Sequence, residues 1–152
     1  MLLIFGCEPA KNDGLISGHW YSCSKNGDYF EMHIKNNMYK YSSGLGVVSE
    51  WNEFKLKGDT LIQYDKFRFE DSIVINKATF YFTDKDELKL EYLTSDENWI
   101  FHRINEEVEN IEDNLVLRDE TIERSKARNC IDSRTKEQRS MDSLERVIDF
   151  QF

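Results

Sequence analysis

Residues 28–35 read DYFEMHIK, and apolar and polar side chains alternate along them. Phe30, Met32 and Ile34 fall on one face of an extended chain, and the residues between them, which are mostly polar, fall on the other. This period of two is that of a β-strand with one face in a core. The segment therefore predicts a strand whose apolar face points into the protein.

Two turn signals flank this strand. Asn26-Gly27 precedes it and Asn36-Asn37 follows it. Asn and Gly tolerate the positive φ angles of tight type I′ hairpins. We therefore expect an antiparallel neighbour on each side.

The same alternation continues over residues 17–105, where short runs are separated by Gly, Asn, Asp and Ser. This pattern is typical of a β meander or barrel. Pro9, the single proline, lies outside every run, so no ladder is interrupted. We predict a mainly all-β fold, an antiparallel up-and-down meander or small barrel of about eight strands. The runs cover residues 18–24, 28–35, 38–42, 51–57, 60–64, 67–69, 73–76, 78–83, 87–93 and 98–104.

Length and charge limit the organisation and the partners. A chain of 152 residues fits one ordinary domain. Its formal net charge is −9, and no stretch gathers enough Lys and Arg to neutralise a row of phosphates, so we expect no nucleic-acid partner. We divide the chain into a remnant and tether (1–16), a β domain (17–105) and an extension packed on that domain (106–152).

The first residues resemble a known bacterial motif. Residues 1–7 read MLLIFGC, an apolar run that ends in a small residue before Cys7, and a polar segment follows. This is similar to the lipobox of bacterial lipoproteins. The resemblance implies a diacylated Cys7, removal of the preceding peptide, and a protein anchored in the cell envelope that faces the periplasm or the cell exterior. The alternative is a short N-terminal strand with a buried cysteine.

The lipoprotein resemblance also bears on the other cysteines. An acylated Cys7 leaves Cys23 and Cys130 in a compartment where disulfides form. If Trp20 points into the core, alternation turns Cys23 outward, where a C-terminal segment could meet it. We expect a Cys23–Cys130 disulfide, and two unpaired thiols are the alternative.

A second resemblance concerns the first and last strands. Gly18-His19-Trp20 is similar to the G-x-W motif of lipocalins and related calycins, and Arg103 ends the last run. In that family the Trp plugs the closed end of the barrel, and a basic residue of the last strand lies across its ring. The resemblance implies a barrel-closing pair of Trp20 and Arg103 and an apolar interior that can hold a ligand. The alternative is that both are core and rim residues of some other meander.

The character of the chain changes after the last run. Residues 106–113 are acidic and read as a solvated linker. Asp119 or Thr121 could cap a surface helix that runs to about Asn129. Apolar residues recur with a period of two over 147–152, which favours a final edge strand.

The sequence shows no catalytic constellation. The three histidines are scattered over different runs, without metal-binding spacing, and carboxylates such as Glu31 alternate onto the polar outward face. We expect neither an enzyme nor a cofactor or metal. The function we expect is binding of a small apolar molecule in or at the mouth of the barrel, lined by Tyr39, Tyr41 and the loop over 43–49. The alternative is a structural or protein-interaction module of the envelope with a filled core.

Overall fold

The computed structural model describes residues 13–66, 73–95 and 98–141, and it shows a closed antiparallel barrel. Eight strands pair in sequence order, and β8 pairs with β1 to close the sheet. This confirms the predicted mainly β fold and selects the barrel over an open meander. The elements are α1 (Asp13–Ile16), β1 (Gly18–Cys23), β2 (Tyr29–Lys35), β3 (Met38–Ser43), β4 (Asn52–Lys57), β5 (Thr60–Lys66), β6 (Ile73–Asp84), β7 (Glu87–Tyr92), β8 (Asn98–Arg103) and α2 (Asn114–Arg128).

The two turns beside β2 differ. Asn36 and Asn37 have φ angles of 50° and 59°, as a type I′ turn requires. The turn before β2 is one residue longer than predicted. The Gly27 amide donates to the Ser24 carbonyl at 3.0 Å, and within this turn only Gly27 takes a positive φ, of 86°. The predicted two-residue turn at Asn26-Gly27 is therefore wrong in type.

Some predicted runs change their limits. The runs over 73–76 and 78–83 are one strand, β6, whose register shifts between Phe82 and Asp84. The run over 67–69, the final strand over 147–152 and Cys7 lie outside the described residues.

The core lies inside the barrel and against its α1 end. Inward side chains come from alternate positions of every strand, as the alternation predicts. Ile16 of α1 is fully buried and covers this end. The buried residues of this core are Ile16, Trp20, Met32, Ile34, Tyr39, Phe54, Leu61, Ala78, Phe80, Leu88, Leu90 and Phe101.

Helix α2 packs on the outside of the barrel. It begins after Asp113, whose carboxylate accepts from the backbone of Leu115 and Val116, so the predicted start at Asp119 or Thr121 is wrong. Its end is as predicted, with Asn129 in the left-handed region. Leu117 and Thr121 are the buried residues of the helix, so Thr121 is part of the packed face. None of the described helices combines the length and apolar character needed to cross a membrane.

Candidate functional site

The α1 end of the barrel is closed by Trp20 and Arg103. The Arg103 guanidinium lies 4.0 Å from the centre of the Trp20 ring. It also donates to the carbonyls of Ser17 at 3.2 Å and Leu15 at 3.1 Å. Trp20 is fully buried, and its indole N–H donates to the Ile16 carbonyl. These contacts join the first and last strands to the segment that precedes β1.

The glycine of the G-x-W motif has a steric role here. Gly18 has a φ of 132°, and a Cβ atom there would lie 2.6 Å from Nη1 of Arg103. A side chain would therefore both strain the backbone and displace the guanidinium.

The two tyrosines predicted to bind a ligand belong to a hydrogen-bonded network inside the barrel. Tyr39 is 1% exposed, and its hydroxyl donates to Asp65 at 2.5 Å. The Tyr41 hydroxyl accepts from Gln63 at 2.8 Å, and Tyr92 donates to the same amide. Burial raises the pKa of both Tyr39 and Tyr41 well above the usual value, so both hydroxyls are neutral. Neither residue lines the surface groove described next, and their role in ligand binding stays a prediction.

The pairing of β1 with β8 is incomplete. β1 pairs with β2 at six positions, but it pairs with β8 only at Trp20↔Arg103 and Tyr21↔His102. Farther from α1 the next bond across this seam comes from a side chain, since the Ser22 hydroxyl donates to the Ile100 carbonyl at 2.7 Å. The ladder between the two strands therefore stops halfway along the barrel.

The backbone that faces this gap can be assigned from the alternation of an antiparallel ladder. The Ser24 amide donates to Asp28 in the β1–β2 turn, so the adjacent Cys23 faces β8. On the other side, the Arg103 amide donates to Asp86 toward β7, so Ile100 faces β1. The backbone polar groups of Cys23 and Ile100 therefore point toward each other across the seam without a ladder bond between them.

A groove opens at this place, and we call it the seam groove. Its volume of about 870 Å³ lies within the range of small-molecule sites. Trp99 gives it an aromatic surface that continues into the barrel, where its ring packs edge-on against Phe30 at 5.5 Å. The lining residues are Tyr21, Ser22, Cys23, Ser24, Lys25, Asn26, Glu87, Asn98, Trp99, Ile100, His102, Arg128 and Arg134.

The segment after α2 forms one wall of the seam groove. Cys23 points outward and forms a disulfide with Cys130, with the two Cα atoms 5.6 Å apart. The Ser133 amide donates to the Lys25 carbonyl at 2.9 Å, which fixes the segment along the β1–β2 turn. Arg134 is thereby placed at the groove.

The seam groove carries positive charge in an acidic protein. Its lining includes Lys25, Arg128 and Arg134 but only one carboxylate, Glu87. The Arg128 guanidinium lies 4.2 Å from the centre of the Tyr21 ring. The chain as a whole has a formal net charge of −9, so this groove differs in sign from the protein average.

The Arg128 and Arg134 side chains are held in place. Arg128 forms an ion pair with Glu106, and Nη2 of Arg134 donates to Asp132 at 2.8 Å. These contacts fix the guanidinium groups, which reduces the entropy lost when a ligand binds.

A second polar cluster lies between α2 and the barrel wall, centred on Glu31. Glu31 points outward from β2, as the alternation predicts, but α2 covers it and leaves it 0% exposed. Arg124 of α2 donates to both carboxylate oxygens, at 2.7 and 2.9 Å. Thr121 and Tyr29 donate at 3.2 and 2.8 Å, and Nε2 of His33 lies 3.2 Å away. Sequence reasoning missed this cluster, because a strand pattern does not show that a helix covers its polar face.

The cluster holds Glu31 ionised and disfavours a charge on His19. Burial alone raises the pKa of Glu31, but hydrogen bonds from His33 and Arg124, together with the Arg124 charge, lower it to about 2. Nδ1 of His33 lies 2.9 Å from Nδ1 of His19, so one ring donates to the other. Burial and the charge of His33 lower the pKa of His19 to about 4.

The hydrogen bonds and ion pairs of this cluster hold α2 against the barrel. The hydroxyl nearest to the histidines is that of Ser42, which is buried and contacts Thr121 at 2.8 Å and His33 at 3.3 Å. A substrate cannot approach a hydroxyl in this position. We therefore assign the cluster to stability.

Within the part of the chain that the structure describes, no group of three or more His, Cys, Asp or Glu side chains is placed to hold a metal ion. Comparisons with protein-family models, with curated proteins and with solved structures returned no match.

Proposed function

We propose that this chain is a non-enzymatic binding module that holds a small molecule in the seam groove, with the apolar part of the ligand against Trp99 and Ile100. The observation that carries the proposal is the early end of the β1–β8 ladder beside a groove of about 870 Å³. A groove of this size, with aromatic walls and a few polar groups, is typical of ligand sites.

The site proposed here lies on the barrel wall, not at its centre. The half of the barrel next to α1 is filled by large side chains such as Trp20 and Phe101, which are almost fully buried. Farther along, the hydroxyls of Tyr39 and Tyr92 are engaged with Asp65 and Gln63. A ligand at the seam needs none of these contacts to break.

A fluorescent probe tests this site. N-phenyl-1-naphthylamine, a neutral molecule whose emission rises in apolar surroundings, is titrated into the full chain. Ile100→Trp fills the groove and should weaken binding about tenfold or more, which is about 1.4 kcal/mol. Ile75→Trp is the matched control, because Ile75 is also an exposed outward isoleucine but lies on β6, away from the groove. If the two variants bind the probe like the parent chain, the ligand site is not in the seam groove.

The second candidate function is a protein-interaction module of the envelope with a filled core. The filled α1 half favours it, as does the apolar surface of β6, where Ile73 and Ile75 are 55% and 53% exposed. A chain that binds no probe at the seam, and whose association with another envelope protein is lost on Ile75→Asp, would support this candidate over the first.

We also propose that the module is anchored in a bacterial envelope through a lipid on Cys7. The Cys23–Cys130 disulfide supports an oxidising compartment, because such bonds persist mainly in exported proteins. Mass spectrometry of the chain expressed in a bacterium should find a diacylglyceryl adduct on Cys7 and none in Cys7→Ser. An unmodified Cys7 in the membrane fraction would exclude the anchor.

A further inference from the structure

We infer that the seam groove selects an anionic ligand, a small molecule with one carboxylate, sulfonate or phosphate group on a flat apolar body. This inference rests on the proposed function and names the ligand class of the same site. It concerns the charged rim of the groove, whereas the proposed function concerns its apolar wall.

The first support is electrostatic. Lys25, Arg128 and Arg134 contribute three positive charges to the lining, against the one negative charge of Glu87. Asp132 and Glu106 pair with the two arginines, but neither carboxylate lines the groove. A cleft whose lining carries an excess of one sign of charge raises the local concentration of the opposite charge. Because the chain carries a net charge of −9, the positive lining of this groove repels an anion less than the protein surface does on average.

The second support is the backbone at the seam. The Ile100 carbonyl already accepts the Ser22 hydroxyl, at 2.7 Å. The Ile100 amide and the amide and carbonyl of Cys23 then face the gap, and an amide N–H is a donor for an oxyanion. The unfinished ladder thus offers a hydrogen-bond donor beside the positive rim.

The third support is the flat shape of the walls. Tyr21 lies under the Arg128 guanidinium, and its ring also packs against His102 at 5.5 Å between centroids. Trp99 presents a further ring. Planar groups in the lining favour a planar ligand body, because flat surfaces stack with large contact area.

Two probes that share one ring system and differ by one sulfonate group test the inference. 1-Anilinonaphthalene-8-sulfonate has the ring system of N-phenyl-1-naphthylamine plus one sulfonate. We expect the full chain to bind the sulfonate about tenfold more tightly than the neutral probe. Lys25→Gln should weaken sulfonate binding about twofold to fivefold more than it weakens binding of the neutral probe, as expected for one exposed charge. Lys57→Gln, the same change at an exposed lysine outside the groove, should alter neither.

The outcomes separate this inference from the proposed function. Equal binding of both probes, lost in Ile100→Trp, would overturn the anionic class and leave the seam groove as a ligand site. Equal losses in Lys25→Gln and Lys57→Gln would also overturn it, because the effect would then come from net charge. Binding of both probes that Ile100→Trp does not weaken would overturn the site itself.

Discussion

Among single residues, Glu31 carries a buried charge that joins β2 to α2. Its side chain is fully buried, and its charge is matched by Arg124, whose side chain is 13% exposed. Glu31→Gln removes the buried counter-charge of the guanidinium and leaves the partly exposed Glu120, at 3.1 Å, as its carboxylate partner, and we expect the free energy of unfolding to fall by about 3 kcal/mol. Urea unfolding measures the change. Glu123→Gln is the matched control, because the Glu123 carboxylate is exposed on α2, the helix that carries Arg124. This substitution should lower the free energy of unfolding by less than about 0.5 kcal/mol. Similar losses in the two variants would contradict the role given to Glu31.

The same cluster makes stability depend on pH. The pKa of His19 is about 4 in the folded chain and 6.5 when unperturbed, so between these values the unfolded chain binds more protons. Stability is therefore lost as the pH falls from about 6.5 to 4. Glu31, with a folded pKa of about 2 against 4.5, adds a second loss below pH 4.5.

Urea unfolding between pH 7 and pH 3 checks this dependence. His19→Gln should flatten the upper part of the profile, whereas His102→Gln, at an exposed ring, should leave the slope in place. A parent profile without slope between pH 6.5 and pH 4.5 would contradict the lowered pKa of His19.

At the level of elements, the limits of α2 show what a pattern can and cannot reveal. Its end at Asn129 could be predicted, because Asn readily takes the left-handed conformation. Its start could not be found from apolar periodicity, since Leu115 is 64% exposed and Leu117 and Thr121 are the buried residues. The capping residue, Asp113, closes an acidic run that looks like a linker. Only its contacts with the first helical amides identify it as a cap.

The disulfide fixes the segment after α2 to β1, and its loss should affect both stability and the seam groove. Cys23 and Cys130 are 107 residues apart, so the bond restricts a long loop in the unfolded chain. We expect the double variant Cys23→Ser, Cys130→Ser to lose about 2–4 kcal/mol of unfolding free energy. Reduction of the parent chain should reproduce this loss and should not affect the variant. A parent chain that unfolds at the same urea concentration with and without reductant would refute the expectation.

At the level of the whole molecule, the sequence predicts the barrel but not which elements pack against the faces of its strands. Alternation shows that Met32 and Glu31 lie on opposite faces of β2, and the structure agrees. It does not show what covers each face, and so Glu31 was expected to be solvated. The incomplete seam has the same cause, because the length of the β1–β8 ladder depends on residues about 80 positions apart, such as Ser22 and Ile100. Contacts of that separation leave no local pattern.

Closure of the barrel can be tested at Arg103, the residue that joins α1, β1 and β8. Arg103→Met removes the stacking on Trp20 and the bonds to the carbonyls of Leu15, Ser17 and Lys85, and we expect the free energy of unfolding to fall by about 2–3 kcal/mol. Arg103→Lys should lie between this variant and the parent, since an ammonium keeps the charge but cannot bridge these carbonyls and cover the ring. Hydrogen exchange of the Ile104 amide, which donates to the His19 carbonyl at 2.8 Å, should quicken in the same order.

The control for this series is Lys85→Met. It removes the charge of a side chain that is 90% exposed, in the turn between β6 and β7. It should leave both the unfolding free energy and the exchange of Ile104 unchanged, because the Lys85 ammonium makes no contact with Trp20. If Arg103→Met matched this control, the seam would be held by the backbone ladder alone. The two pairs at Trp20 and Tyr21 would then suffice to close the barrel, and the guanidinium would only cover its end.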